Sequence, residues 1–200
     1  MLVIDTKLRG VFQPFFNGLG RGLIKLKIKP DAITVAAFVV GVLASVLISL
    51  GQSVLPLILL WVSGLLDVLD GTVARLTGTS SKIGAYMDLI FDRMVEAAII
   101  LGFYFLLPQY ALAYLLFFVA VLFNFTTFIV AGAIFDNKSK KGMHYDIGIA
   151  ERTETFIVFT LMVLFQHDIN IILMIFNAII FLTGCIRFIR IIRSSANESV

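Results

Sequence analysis

Residues 63–98 read SGLLDVLDGTVARLTGTSSKIGAYMDLIFDRMVEAA. Five carboxylates, Asp67, Asp70, Asp88, Asp92 and Glu96, interrupt two runs that are otherwise apolar enough for a lipid bilayer. Each charged side chain at the centre of a spanning helix costs about 3 kcal/mol on insertion scales, so helices that keep such residues generally use them. Asp67, Asp70, Gly71 and Ala74 fall at i, i+3, i+4 and i+7 and share one helical stripe, while Gly84, Asp88, Asp92 and Glu96 recur every four residues along the next. The short turn at 77–82 makes the two helices antiparallel neighbours, which sets four carboxylates facing one another across about one helix–helix contact distance. Like charges this close repel and need a positive counterpart. Mg²⁺ or Mn²⁺ answers that need, because both take oxygen ligands and two such ions about 3.5–4 Å apart are a recurring device of phosphoryl chemistry. Arg75 adjoins the same end and offers a guanidinium to a phosphate or a carboxylate. Gly71 and Ala74 leave no bulk beside the acids, so a nucleotide or pyrophosphate can approach closely.

The remainder of the chain sets these helices in a membrane. Of 200 residues 60% are hydrophobic and 14% charged, with a mean hydropathy of +1.00, which excludes a soluble domain, a disordered chain and a collagen-like fibre. Cys185 has no second cysteine to pair with, and two histidines with one cysteine do not make a structural zinc site. Apolar runs predict six spans, at 31–50, 54–76, 83–107, 110–135, 154–165 and 169–186, each near the length a bilayer needs or somewhat under it. The first run begins only after some 30 residues and is followed by no small-residue cleavage pattern, so it is expected to stay in the mature chain. The predicted fold class is all-α: a polytopic integral membrane protein forming one domain over 1–200, with a six-helix bundle at 31–193.

Basic residues fix the expected orientation. Six precede the first span, Arg75 and Lys82 border the turn between the second and third, four lie between the fourth and fifth, three follow the sixth, and Arg93 alone is deep inside a span. The three remaining connections, near Gly51, Pro108 and His167, carry none, so the positive-inside rule puts both termini and the acidic cluster on the cytoplasmic side. Residues 1–30 mix Phe12, Phe15, Phe16, Leu19, Leu23 and Ile24 with basic side chains, the pattern of an amphipathic helix lying in the interface, with a mobile basic tail as the alternative. The net charge of +3 favours anionic lipid and gives no sign of nucleic acid binding.

Two readings without catalysis compete. Carboxylates paired with Arg75, Lys82 and Arg93 would merely hold the bundle together, but three bases are too few for five acids. Intramembrane acids also line transport pathways, yet the outer half of the bundle offers no matching polar series. A transporter or scaffold therefore explains less of the pattern than an enzyme does.

Written as Asp67-x2-Asp70-Gly71-x2-Ala74-Arg75-x8-Gly84-x3-Asp88-x3-Asp92, the segment resembles the signature of the CDP-alcohol phosphotransferase superfamily at all eight specified positions. The resemblance implies a metal-dependent transfer in which a hydroxyl attacks a phosphorus of a CDP-linked donor and CMP leaves. It implies that Asp67, Asp70, Asp88 and Asp92 hold two divalent ions, Mg²⁺ or Mn²⁺, and that Asp92 is also the catalytic base. Asp67, Gly71, Ala74 and Arg75 would accommodate the nucleotide. Pro30-Asp31-Ala32-Ile33-Thr34 resembles the family's Pro-Asn-x-Ile-Thr lead into the first helix, with Asp31 in place of Asn. Asp31 and Thr34 are thus either nucleotide contacts or an ordinary helix start.

The connection at 136–156 supplies candidates for the acceptor. Lys138, Lys140, Lys141 and Arg152 face the expected metal side and suit an acceptor phosphate, Arg152 foremost, although topology alone would also place the three lysines there. Glu151-Arg152-Thr153-Glu154 resembles the Glu-Arg-x-Glu segment of phosphatidylinositol phosphate synthase-type members, with Thr153 and Thr155 where Pro and Arg are common. The expected partners are a CDP-diacylglycerol donor, a small polar acceptor such as inositol phosphate, membrane lipids and a second copy of the chain. Serine or glycerol phosphate as acceptor, or a CDP-choline or CDP-ethanolamine donor with diacylglycerol, are the alternatives. Asn124, Thr126 and Thr127 in the fourth span are expected to hydrogen-bond between helices.

Overall fold

Residues 4–134 and 152–198 are described in the computed structural model, and no strand occurs among them. Seven α-helices carry the chain: α1 (Ile4–Lys25), α2 (Pro30–Ser49), α3 (Val54–Thr77), α4 (Lys82–Leu106), α5 (Ala111–Ile134), α6 (Arg152–Leu164) and α7 (Ile169–Glu198). Local chemistry sets their ends. Pro30 opens α2, where its missing N–H is no loss. Gly78 closes α3 in the left-handed region at φ 67°, and the amides of Gly78 and Thr79 donate back to Arg75 O and Ala74 O. Ser81 then caps α4, its Oγ accepting from Gly84 N at 2.9 Å.

The helices group into two compact units, one of residues 4–109 and one beginning at Tyr110. In the first, α2 is pressed between α3 and α4 at positions too small for a side chain. A Cβ on Gly41 would lie 2.7 Å from Val95 Cγ1, and one on Gly102 would lie 2.5 Å from the Ser45 carbonyl oxygen. Ser63 Oγ donates to Ala37 O at 2.7 Å, Ser45 Oγ donates to Ala98 O, and Phe38 stacks on Phe91 at 4.6 Å. Helix α1 lays Phe16, Leu23 and Ile24 against a core of Ile33, Leu69 and Val73. On the adjoining stripe of the same helix Phe12, Phe15 and Leu19 are exposed.

In the second unit Phe117 of α5 packs on Phe159 of α6 and Phe176 of α7, with ring centroids 6.4 and 6.3 Å apart. Asn177 Nδ2 donates to Ala113 O at 2.9 Å. Arg187, only 8% exposed, donates through Nη1 to Asn124 O and Oδ1 at 2.9 and 2.8 Å, lies 3.4 Å from Thr127 Oγ1, and rests over the Phe128 ring. Asn124 and Thr127 therefore make the interhelical bonds expected of them, while Thr126 is exposed.

Four segments are long and apolar enough to cross a bilayer: Pro30–Ser49, Val54–Thr77, Pro108–Ile134 and Gln166–Arg193. The other two expected spans differ for separate reasons. Helix α4 has 25 residues but gathers Lys82, Asp88, Asp92, Arg93 and Glu96 between its start and residue 96. Helix α6 has 13 residues, about 20 Å at 1.5 Å per residue, against about 30 Å of hydrocarbon. Helix α7 continues well past the expected end at 186, because no glycine or proline interrupts residues 187–198 and Arg187 turns inward.

Candidate active site

The cytoplasmic-type sequence signals converge at one end of the first unit, where α3 finishes, α4 starts and α2 starts. Asp67 and Asp70 are three residues apart on α3 and Asp88 is two turns into α4, so the Gly78–Ser81 turn folds them onto each other. One oxygen from each of the three carboxylates lies within 4.8 Å of the other two. Asp70 is the most enclosed, at 7% exposure. Asp92 follows one turn further along α4, half-buried and close enough to act on Asp88 electrostatically, as Asp67 and Asp70 also do.

Such a group is unstable as a set of bare anions. Its donor chemistry suits a hard divalent cation: oxygen ligands around Mg²⁺ stand about 2.0–2.1 Å from the ion, and three carboxylates already within 4.8 Å enclose a space of that scale. One oxygen of each of two of them, Asp70 Oδ2 and Asp88 Oδ1, is buried with no hydrogen bond to it among the described residues, a setting that suits a ligand atom of a metal ion. The residues present therefore fit a divalent metal. Glu96 does not join them. It is 4% exposed and pairs with Arg93, three residues before it on the same helix, at 2.8 Å.

A cleft of about 190 Å³ opens over the carboxylates. Asp70, Gly71, Ala74 and Arg75 of α3 form one wall, and Pro30, Asp31 and Thr34 of α2 another. Thr79, Ser80 and Ser81 of the turn, with Gly84, Ala85 and Asp88 of α4, complete it. Asp31 is not the cap of α2; that position is Lys29, with no side-chain cap bond, and Asp31 instead lines the cleft beside α4. A Cβ on Gly84 would stand 3.5 Å from Asp31 Oδ1, an ordinary contact distance, so the start of α4 and Asp31 face each other closely here. Thr34 is buried and spends its hydroxyl on Pro30 O at 3.1 Å. Arg75 folds back along its own helix, with Nη1 3.1 Å from where a Gly71 Cβ would stand and Nη2 3.2 Å from Thr72 Oγ1.

The family model for CDP-alcohol phosphatidyltransferase matches residues 27–185, a stretch that contains every element of this cleft. The chain belongs to the CDP-alcohol phosphatidyltransferase family. Over 189 residues it is 32% identical to the inner membrane protein YnjF of Escherichia coli K12, covering 90% of this chain and 91% of that one. It is 31% identical over 151 residues to phosphatidylinositol phosphate synthase of Mycobacterium marinum, covering 75% and 64%. With archaetidylinositol phosphate synthase of Pyrococcus horikoshii the match is 36% over 97 residues, 48% of this chain and 52% of that protein. The matched stretch thus spans about half to two thirds of the two named synthases and nearly all of YnjF. Among solved structures, phosphatidylinositol phosphate synthase of Mycobacterium tuberculosis in complex with manganese and citrate superimposes with a TM-score of 0.75 at 21% identity, over 88% of both chains. The same enzyme with CDP-DAG bound gives 0.65 at 21%, over 89% of this chain and 90% of that one. Both are likenesses of fold. Together with the four apolar helices, membership of this family makes the chain an integral membrane protein.

Of the residues expected at the site, Asp70, Asp88, Gly71, Ala74, Arg75, Asp31 and Thr34 line the cleft and Asp67 joins the carboxylate group. Lys138, Lys140 and Lys141 lie outside the described residues; Arg152 is the first residue of α6, its side chain likewise outside them. Thr79, Ser80, Ser81 and Ala85 were not anticipated as wall residues. A serine just before an apolar-periodic run is a helix-cap signal, and it marks Ser81 as the point where α4 begins at the edge of the cleft.

Proposed function

We propose that this protein transfers a phosphatidyl group from CDP-diacylglycerol to a hydroxyl of a polyol phosphate, inositol phosphate being the favoured acceptor, with release of CMP. The observation that carries this reading is the convergence of Asp67, Asp70 and Asp88 beneath an open cleft in a member of this family. The names of the inositol phosphate synthases among its relatives support the choice of acceptor.

In the proposed reaction the acceptor oxygen forms a bond to the lipid-side phosphorus of the donor diphosphate. The bond from that phosphorus to the CMP oxygen breaks, and the acceptor's proton passes to Asp92. Asp67, Asp70 and Asp88, with Asp92 at the margin, would hold one or two Mg²⁺ or Mn²⁺ ions, which when bound neutralise the diphosphate and the departing CMP. Arg75 would meet the donor from the α3 wall, where Gly71 and Ala74 leave room for the nucleotide, and Asp31 and Thr34 would border it on α2. Arg152, assisted by Lys138, Lys140 and Lys141, would bind the acceptor phosphate.

The same proposal places α4 and α6 in the bilayer as the third and fifth of six spans in a single catalytic domain. It puts both termini and the cleft on the cytoplasmic side, α1 in the interface, and two copies in the working assembly. Basic residues confined to alternate connections support the sidedness.

The test is CMP release from purified protein with CDP-diacylglycerol and Mg²⁺ or Mn²⁺ against inositol phosphate, glycerol phosphate, serine and free inositol. Turnover with inositol phosphate alone is expected. Turnover with another acceptor would keep the reaction class and replace the acceptor. No CMP from any of them, in protein that binds no CDP-lipid, would return the chain to a transporter or scaffold.

A further inference from the structure

Between Gly71 and Ala74 the family signature leaves two positions open, and in this chain they are Thr72 and Val73. Thr72 is 1% exposed although it lies one residue from a cleft-lining glycine. Its hydroxyl donates to Val68 O, one turn back, at 2.8 Å. Threonine commonly makes this bond in a helix. With the proton committed there, the oxygen can only accept on its other side, and it accepts from Arg75 Nη2 at 3.2 Å. The guanidinium so held lies over Gly71: Nη1 is 3.1 Å, and Cζ and Nη2 3.8 Å, from the point a Cβ there would occupy.

The other face of Thr72 is fixed from outside the cleft. Gly20 is buried on α1, and a Cβ there would stand 3.3 Å from Thr72 Cγ2 and 3.7 Å from Val73 Cγ2. The methyl is thereby pinned against the α1 backbone while the hydroxyl faces the arginine. An otherwise exposed arginine loses rotamer entropy when a ligand immobilises it. Holding it beforehand removes part of that cost from binding.

We propose that Thr72 is a positioning residue, which holds Arg75 against Gly71 in the orientation that receives the donor's phosphate or nucleotide, and that α1 sets Thr72 through Gly20. This rests on the donor assignment above.

Thr72→Val keeps the methyl contact and shape but loses the acceptor; Thr72→Ser keeps the acceptor. Thr72→Val is expected to raise the KM for CDP-diacylglycerol about fivefold to tenfold, with the acceptor KM and the melting temperature little changed. Thr72→Ser should stay within about twofold of the unmodified protein, and Thr72→Val should add nothing to Arg75→Ala. Gly20→Ala, which alters no residue of the cleft, is a second variant, expected to raise donor KM about twofold in the Arg75 background and not at all with Arg75→Ala. Equal damage from Ser and Val at position 72, or a Thr72→Val defect that multiplies with Arg75→Ala, would overturn the proposal. Binding of CDP in the presence of Mn²⁺ is measured in parallel because it needs no turnover. The same order of variants in CDP binding without any CMP release would sink the proposed reaction and keep the positioning role. Equal CDP affinity in Thr72→Val and unmodified protein, or no CDP binding by the latter, would remove the role itself.

Discussion

Asp70 Oδ2 and Asp88 Oδ1 are buried oxygens whose natural complement is a cation. Replacing Asp70 by Asn keeps the shape and removes one charge from a three-carboxylate group. Turnover is expected to fall by at least about 100-fold. A ligand that binds only the folded state raises its stability, by about 2.7 kcal/mol at 100 times its Kd. Mn²⁺ should therefore raise the melting temperature of the unmodified protein and leave that of Asp70→Asn nearly unmoved; an equal rise in both would show that the ion binds elsewhere. Asp92 stands one turn beyond Asp88, and as the base its amide variant should lose about 10²- to 10⁴-fold in turnover while keeping CDP-lipid affinity better than Asp67→Asn does. Wild-type turnover by Asp92→Asn would exclude that role. The carboxylate pattern was legible beforehand because a helix repeats at fixed intervals, so the meeting of Asp67, Asp70 and Asp88 could be read from numbering, whereas Asp92, expected with them, stands one turn beyond the group of three. That Arg75 would lie over Gly71 was not legible, since a long side chain on a helix surface has many rotamers and the numbering does not show that Thr72 Oγ1 meets this one. Gly71→Ala separates the two roles of that glycine. Alanine suits a helix better by about 0.5–1 kcal/mol, and the nearest atom it meets is the movable end of Arg75. Melting temperature should hold or rise while donor KM increases; a fall in stability with donor KM unchanged would mean that the glycine serves backbone packing instead.

At the level of the elements, the ends of α3 and α4 could be read from Gly78 and Ser81, because a left-handed cap and a serine N-cap are each specified by one residue. The α2 seam could not. Nothing in a run such as residues 35–48 distinguishes a glycine that faces lipid from one that faces a neighbouring carbonyl, and only the packed helices reveal Gly41 on Val95 and Gly102 on Ser45. The inward turn of Arg187 was hidden for a related reason. Its spacing fits a basic membrane margin as well as it fits a partner on α5, and the choice depends on Asn124 being opposite. The seam gives a prediction of its own. An alanine at 102 would drive its Cβ to 2.5 Å from a backbone oxygen that has no rotamer to change, so the helices must part. A loss of about 1–3 kcal/mol is expected, read as a lower melting temperature in detergent with and without Mn²⁺. An unchanged melting temperature would mean that α2 and α4 slide freely here.

For the whole molecule the decisive quantity is which connections meet which solution. All sixteen basic residues but Arg93 fall before the first expected span or in every second connection after it. Four helices satisfy the length and composition needed to cross, so sidedness turns on α4 and α6, the two that carry charge or fall short. If α3 crosses, Gln52, in the turn between α2 and α3, and Ser80, on the wall of the cleft, lie on opposite sides of the membrane. The two positions are exposed and lie at the two ends of α3, a 24-residue helix about 36 Å long at 1.5 Å per residue. Single cysteines at 52 and 80, introduced with Cys185→Ala, can be tested with a membrane-impermeant maleimide on intact cells and after permeabilisation. Gln52→Cys should label in intact cells and Ser80→Cys only after permeabilisation, with Ser80→Cys protected by CDP and Mn²⁺ because Ser80 borders the cleft. Labelling of Ser80→Cys from outside would reverse the orientation and put a nucleotide site where no cytoplasmic nucleotide reaches it, which the proposed reaction could not survive. Equal labelling of both positions in intact cells would mean that α3 does not span. The protection by CDP adds what topology alone lacks, since it ties the cytoplasmic face to the cleft above Asp70 and Asp88.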